Sequence, residues 1–217
     1  MATSRLKIYN GALLICEERP LALLTDDVEG RYALDEIWND GGVRFCLEQA
    51  QWKFAMRAAK MTYDPAIAPD WGYRHGVAKP SDWVTTSAVC QDEYFRVPLL
   101  QYADEIGFWF FDLEDVWVKW VSDDAAYGAD LSKWPYTFTE YVKAQFARKV
   151  IARLSGGSED KIARVEKICD KAKFDAKNRD AMQGPTSFPA QGSWLRSRFG
   201  RNSGSRDGGN RSGNLIG

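Results

Sequence analysis

Apolar positions recur at helical spacing at both ends of the chain and alternate in its middle. Leu6, Tyr9, Leu13 and Cys16 fall at i, i+3, i+7 and i+10, which predicts a helix from Ser4 to Cys16 with one apolar stripe. Pro20 stops it, and Glu18 to Asp27 reads as a loop in which Thr25, Asp26 and Asp27 offer capping oxygens to the next helix. That second helix begins near Asp27 and carries Leu34, Ile37, Trp38, Gly41 and Phe45 on one side. Gly41-Gly42 lies within the pattern, at a cost of roughly 1 kcal/mol per glycine against alanine. Because the stripe keeps phase across the pair, a continuous or kinked helix to about Gln51 is expected.

From Tyr63 to Val121 the pattern changes. Pro65, Pro69, Gly72, Gly76, Pro80 and Pro98 punctuate short runs rich in Val, Thr, Trp and Phe. Two of these, Trp83–Val89 and Val116–Val121, read as strands. In the second, Val116, Val118 and Trp120 share one face while Trp117, Lys119 and Val121 share the other, so both faces are partly apolar. That is more than a small isolated sheet buries, which implies surfaces closed by neighbours.

Helix returns after Trp134-Pro135. Thr137-Phe-Thr-Glu140 has the spacing of a capping box. Phe138, Val142, Phe146, Val150 and Leu154 then repeat every four residues until Ser155-Gly156-Gly157. Ser158 starts another helix, with Ile162, Val165, Cys169, Ala172 and Ala176 on one face, so the two form a helical hairpin. The expected fold is mainly α: a helical bundle with a small antiparallel β insertion and an extended C-terminal arm. Its segments are residues 1–62 (N-terminal helices), 63–133 (β-rich insertion), 134–182 (helical hairpin) and 183–217 (a Gly/Arg-rich arm that cannot build its own core).

Charge sharpens this division. The 217 residues hold 29 Lys+Arg and 30 Asp+Glu, a net charge of −1. Between Gly192 and Gly217, five arginines face only Asp207, so the arm carries +4 and the rest of the chain −5. An acidic body has no net attraction for phosphate backbones, and only the arm suits a polyanion. Apolar runs such as Gly11–Cys16 are far short of the ~20 residues of a membrane span. Tyr9-Asn10 and Glu17-Glu18-Arg19 break the pattern of an export signal, and Ile15 before Cys16 is too large for a lipoprotein signal. Cys16, Cys46, Cys90 and Cys169 are widely spaced, so four reduced, mostly buried thiols and synthesis in the cytoplasm are expected.

Catalytic chemistry finds little footing. His75 is the only histidine and has no recognisable nucleophile beside it. Asp26-Asp27, Glu114-Asp115 and Asp123-Asp124 match no metal loop and suit caps and turns better than a divalent ion. There is no phosphate-binding glycine loop. The expectation is a protein that is not an enzyme and has no cofactor. In the arm, Trp194, Leu195, Arg196, Arg198 and Phe199 combine residue types that dominate interface hot spots, which favours docking on a partner. Stacking of Trp194 and Phe199 on single-stranded nucleic acid is the alternative. Aromatics of the β-rich segment, Trp71, Tyr73, Trp83 and Trp117, are candidates for a subunit interface.

Several short motifs occur in a telling order: the Pro20–Asp27 loop, Gly30-Arg31, Gln51-Trp-Lys-Phe-Ala55, Tyr73 before Pro80-Ser-Asp82, Val116 to Asp123, Trp134-Pro135, and Ser193-Trp194-Leu195. Through this ordered set, over roughly residues 3–199, the chain resembles the tailed-phage head-to-tail adaptor proteins related to tail tubular protein A. Gly41-Gly42 departs from the charged residues expected in that helix, and the final Gly/Arg stretch lies outside the resemblance. The resemblance implies a structural virion protein at the head-tail junction, forming a dodecameric ring that joins the portal protein to the downstream tail or nozzle protein. Genomic DNA would pass through its lumen without specific binding. The competing class is a helical nucleic-acid-binding protein acting through its basic tail.

Overall fold

The computed structural model describes residues 3–184, of which residues 3–183 belong to one compact unit. Along the chain, helices α1 (Arg5–Ile15), α2 (Glu29–Asn39) and α3 (Gly42–Glu48) precede six strands. These are β1 (Met56–Thr62), β2 (His75–Ala78), β3 (Trp83–Cys90), β4 (Ala103–Glu105), β5 (Phe108–Phe111) and β6 (Asp115–Ser122). Helices α4 (Tyr136–Leu154) and α5 (Glu159–Met182) follow. The arm residues Trp194, Leu195, Arg196, Arg198 and Phe199 lie outside the described residues.

The expectation of a mainly α fold is wrong. Among the described residues, with five helices and six strands in two antiparallel sheets, 41% helix against 19% strand, the fold is mixed α/β. The first sheet has the order β1-β6-β3 and the second β2-β5-β4. Strand structure also begins at Met56, within the segment assigned from its pattern to N-terminal helices. Apolar residues on both faces of β6 are the physical reason. Val116, Val118 and Trp120 join Val77, Val89, Trp109 and Phe111 in a core of the β region. Val121, on the opposite face, joins the helical core with Val84. The chain therefore closes both faces of β6 itself, and neighbouring copies are not needed to do so.

A short polar network ties the sheets together. Trp83 and Trp109 each donate an indole N–H to Thr86 Oγ1, at 3.1 and 3.0 Å, and Thr86 donates to Asp104 at 2.6 Å. Lys79 pairs with Asp104 and lies 3.8 Å from the centroid of the Trp83 ring. Polar atoms that would be costly to bury alone are thus satisfied inside the β region.

In the helical core, the stripes on α1, α4 and α5 lie where their spacing puts them. Tyr9, Leu13, Cys16, Phe138, Val142, Phe146, Val150, Val165, Cys169 and Ala176 are buried together. Three local expectations fail. The second helix is not continuous: Gly41 adopts φ +78°, and α3 starts afresh at Gly42. A Cβ on Gly42 would lie 2.7 Å from the Ile37 carbonyl oxygen, so the pair of glycines makes a tight corner rather than a kink. The new phase buries Cys46 and Leu47 and leaves Phe45 39% exposed. Gly41→Ala is expected to cost about 1–2 kcal/mol through its left-handed backbone, and Gly42→Ala more through the clash. Comparing their urea midpoints tests the order.

The capping box at α4 is also absent. Pro135 occupies the cap position, Thr139 Oγ1 donates to the Pro135 carbonyl at 3.2 Å, and Glu140 pairs with Lys143 at 2.7 Å. The helix therefore begins two residues earlier than a Thr137 cap requires. Likewise α2 is capped by Val28, without a side-chain hydrogen bond, because Asp26 and Asp27 are engaged elsewhere.

Candidate assembly surfaces

The loop between α1 and α2 is held from both sides. Asn10 on α1 donates its side-chain amide to the Leu21 carbonyl at 3.0 Å and accepts from the Leu21 amide at 2.8 Å. Asp26 Oδ2 accepts from the amides of Ala22 and Leu23, at 2.7 and 3.1 Å. Arg31 Nε reaches back to the Asp26 carbonyl at 2.5 Å, while its guanidinium pairs with Asp35 at 2.7 Å. Asp35 also receives Arg5, at 2.5 Å, and the Tyr9 hydroxyl, at 2.8 Å. Burial of Tyr9, followed by its hydrogen bond to Asp35, raises the phenol's pKa and keeps it a donor.

This bracing presents apolar side chains to water. Leu23 is 61% exposed, and Leu24, Val28 and Tyr32 are exposed beside it. Between the loop, the end of α1, the start of α2 and Leu154 lies a groove of about 560 Å³. Leu13, Leu21, Val28 and Leu154 contribute its apolar lining, and Glu18, Asp26, Asp27 and Glu29 with Arg19 its charged lining. These exposed leucines on a braced loop make it a candidate interface.

The aromatic candidates in the β region behave differently from one another. Trp71 is 76% exposed in the segment between β1 and β2, and Tyr73 is half-buried. Trp83 is committed to the network between the sheets, and Trp117 is half-buried on β6, 5.6 Å from Lys60 Nζ. Of the four, only Trp71 is largely open to solvent. Apolar residues that the sequence reading passed over are also exposed: Tyr94, Leu100 and Ile106 in the loops of the β region, and Leu14, Tyr136 and Phe174 on the helices. Ile106 sits next to Gly107, whose φ of +85° turns the β4–β5 hairpin and pushes the side chain outward.

Of the acidic pairs singled out from the sequence, Asp26, Asp27, Asp115, Asp123 and Asp124 are engaged structurally. Asp115 binds Lys60 and Thr62, at 2.8 and 2.6 Å, and Asp124 accepts from the Ala126 amide at 2.8 Å. Asp123 pairs with Arg44. His75 packs its ring 4.2 Å from Tyr63. Among the described residues no group of acidic, His and Cys side chains is arranged to hold a metal ion. The four cysteines are buried and unpaired, and burial, reinforced by Glu18, pushes the Cys16 thiol up to about 11. Among the described residues no helix is long and apolar enough to cross a membrane. The sequence matches no protein-family model and has no significant match among curated proteins.

Proposed function

We propose that the protein is a ring-forming head-to-tail adaptor that joins a portal to a phage tail and surrounds the DNA passage. The observation that carries this reading is the placement of exposed apolar side chains on unlike surfaces. Leu23 and Leu24 lie on the α1–α2 loop, Tyr136 and Phe174 on α4 and α5, and Trp71, Leu100 and Ile106 in the β region. A two-fold dimer needs one self-complementary patch, whereas head-to-tail contacts that close into a ring need two different ones. The ordered set of motifs that resembles those of adaptor proteins supports the same reading. So does the acidic body, since a lumen that repels phosphate lets a duplex slide. In this role Trp194, Leu195, Arg196, Arg198 and Phe199 are a partner-docking segment, and the protein is neither an enzyme nor cofactor-dependent.

Mixing the full chain with a portal protein and imaging by negative stain tests the proposal: rings seated on the portal are expected, and their absence overturns it. Truncation after Gln191 is expected to leave a folded protein, with an unchanged circular dichroism melt, that no longer co-assembles with the portal. A truncated chain that joins the portal normally removes the arm from the docking role.

A further inference from the structure

We infer that the outer edge of β1 pairs antiparallel with the same edge of a second copy, so that the sheets of two chains join about a two-fold axis at Ala59. The contact is two-fold rather than head-to-tail, and it goes beyond the ring reading. In the order β1-β6-β3, β1 is an edge strand. The Tyr63 amide donates to the Glu114 carbonyl at 3.0 Å, which fixes the phase of the ladder: Arg57, Ala59 and Met61 are the residues hydrogen-bonded to β6. The amides of Ala58, Lys60 and Thr62 therefore point away from β6, and among the described residues they meet no acceptor. All three residues are exposed.

The other edges carry the protection that β1 lacks. β2 and β4 have four and three residues, and short edges template poorly. The register of β3 shifts twice, between Trp83 and Thr85 and between Thr86 and Ala88, and the Leu99 amide covers its end by bonding the Val89 carbonyl at 2.9 Å. In contrast, β1 runs seven residues in unbroken register, without proline. Charged side chains guard many natural edges, but here both cations fold back across the sheet. Lys60 pairs with Asp115 at 2.8 Å, with its Nζ 5.6 Å from the Trp117 ring centroid. Arg57 pairs with Asp82 at 3.0 Å, and its guanidinium lies 5.5 Å from the Trp120 centroid. The edge is left uncovered.

A second copy supplies the strand that fits. Among the described residues only β1 offers a long, regular, open edge, and every copy carries it. Full overlap of two antiparallel β1 strands sets Ala59 opposite Ala59, Lys60 opposite Ala58, Arg57 opposite Met61 and Met56 opposite Thr62. No cation faces a cation, which would oppose pairing. The outward amides of Ala58 and Lys60 then bond the carbonyls of their opposite numbers, and the strand is self-complementary, as a two-fold contact requires.

The full chain is sedimented at rising concentration, up to about 0.1 mM, and a monomer–dimer equilibrium is expected. Ala58→Pro removes an outward amide and spares the ladder to β6, so the dimer dissociation constant should rise about tenfold. Ala59→Cys sets two thiols in a non-hydrogen-bonded pair with Cα atoms about 4.5 Å apart, within reach of a disulfide. Ala58→Cys sets them on a diagonal, about 7–8 Å apart. With copper phenanthroline in air, disulfide-linked dimers are expected from Ala59→Cys well above those from Ala58→Cys and from wild type, whose four native thiols are buried. A chain that stays monomeric throughout, a dimer that Ala58→Pro does not weaken, or equal cross-linking at the two positions overturns the pairing. If Ala58→Pro alters the circular dichroism spectrum, the cysteine pair decides alone. The portal takes no part, so failure here leaves the ring reading intact.

Discussion

Asp82→Ala is expected to destabilise the protein by about 3 kcal/mol, the cost of removing one partner from a largely buried ionic network. Asp82 lies in the turn before β3, its side chain only 11% exposed. Its carboxylate accepts from Arg57 at 3.0 Å, from the Trp120 indole at 3.4 Å and from Ser122, which is fully buried. Its backbone carbonyl also accepts from the Asp123 amide at 3.0 Å. One residue thus ties β1, β6 and the turn entering β3. Removal leaves Arg57 without its carboxylate and the Ser122 hydroxyl without its acceptor.

The same carboxylate makes a pH prediction. Burial raises its pKa, but hydrogen bonds from Ser122 and Arg57 more than offset this and hold it below the usual carboxylate range. Stability from a depressed carboxyl is complete above its unfolded pKa of about 4 and is lost as pH falls through the folded value. Wild-type urea midpoints should therefore drop below about pH 4 more steeply than those of Asp82→Ala. Asp82→Asn, which keeps shape and one acceptor but not the charge, should lie between the two near neutral pH. Equal acid slopes in wild type and Asp82→Ala would remove Asp82 from this role.

Trp52→Ala is expected to cost roughly 3–5 kcal/mol, the range for deleting a buried aromatic and leaving a cavity. Trp52 is fully buried after α3, packs edge-on against Phe138 with centroids 4.8 Å apart, and donates its indole N–H to the Cys46 carbonyl at 3.0 Å. Tyr141 and Phe54 lie 6.3 Å away by centroid. This cluster joins the segment leaving α3 to α4, so its loss should loosen the helical core as a whole. Thermal unfolding followed in the near-ultraviolet gives the test. A shift no larger than that of an exposed control such as Trp71→Ala would contradict the assignment, because Trp71 contributes little buried area.

Of the candidate assembly surfaces, the run Leu21-Ala-Leu-Leu24 was visible in the sequence as apolar residues in a loop without helical phase. Nothing local showed that Asn10 would brace it, because its hydrogen bonds reach Leu21 from α1, whereas those of Asp26 lie within the loop itself. The four aromatics chosen from the β-rich segment separate for a similar reason. Trp71 and Trp83 look alike as aromatics in a punctuated stretch, yet Trp83 is drawn in by Thr86, Asp104 and Lys79, partners up to 21 residues away. Tyr94, Leu100 and Ile106 were missed because isolated apolar residues in a punctuated stretch carry no periodic signal.

What the sequence by itself determined was the set of elements with strong local periodicity: α1, the α4–α5 hairpin, β3 and β6, together with buried thiols and the split between an acidic body and a basic arm. Those follow from repeats of four or two residues and from simple counts. Tertiary structure alone decided the fold class. The strands β2, β4 and β5 have three or four residues each, too few for a periodic signal, and they exist because both faces of β6 need cover. It also decided the corner at Gly41-Gly42: a helical stripe that kept its phase on paper was broken by the close approach of Gly42 to Ile37, which no spacing rule contains.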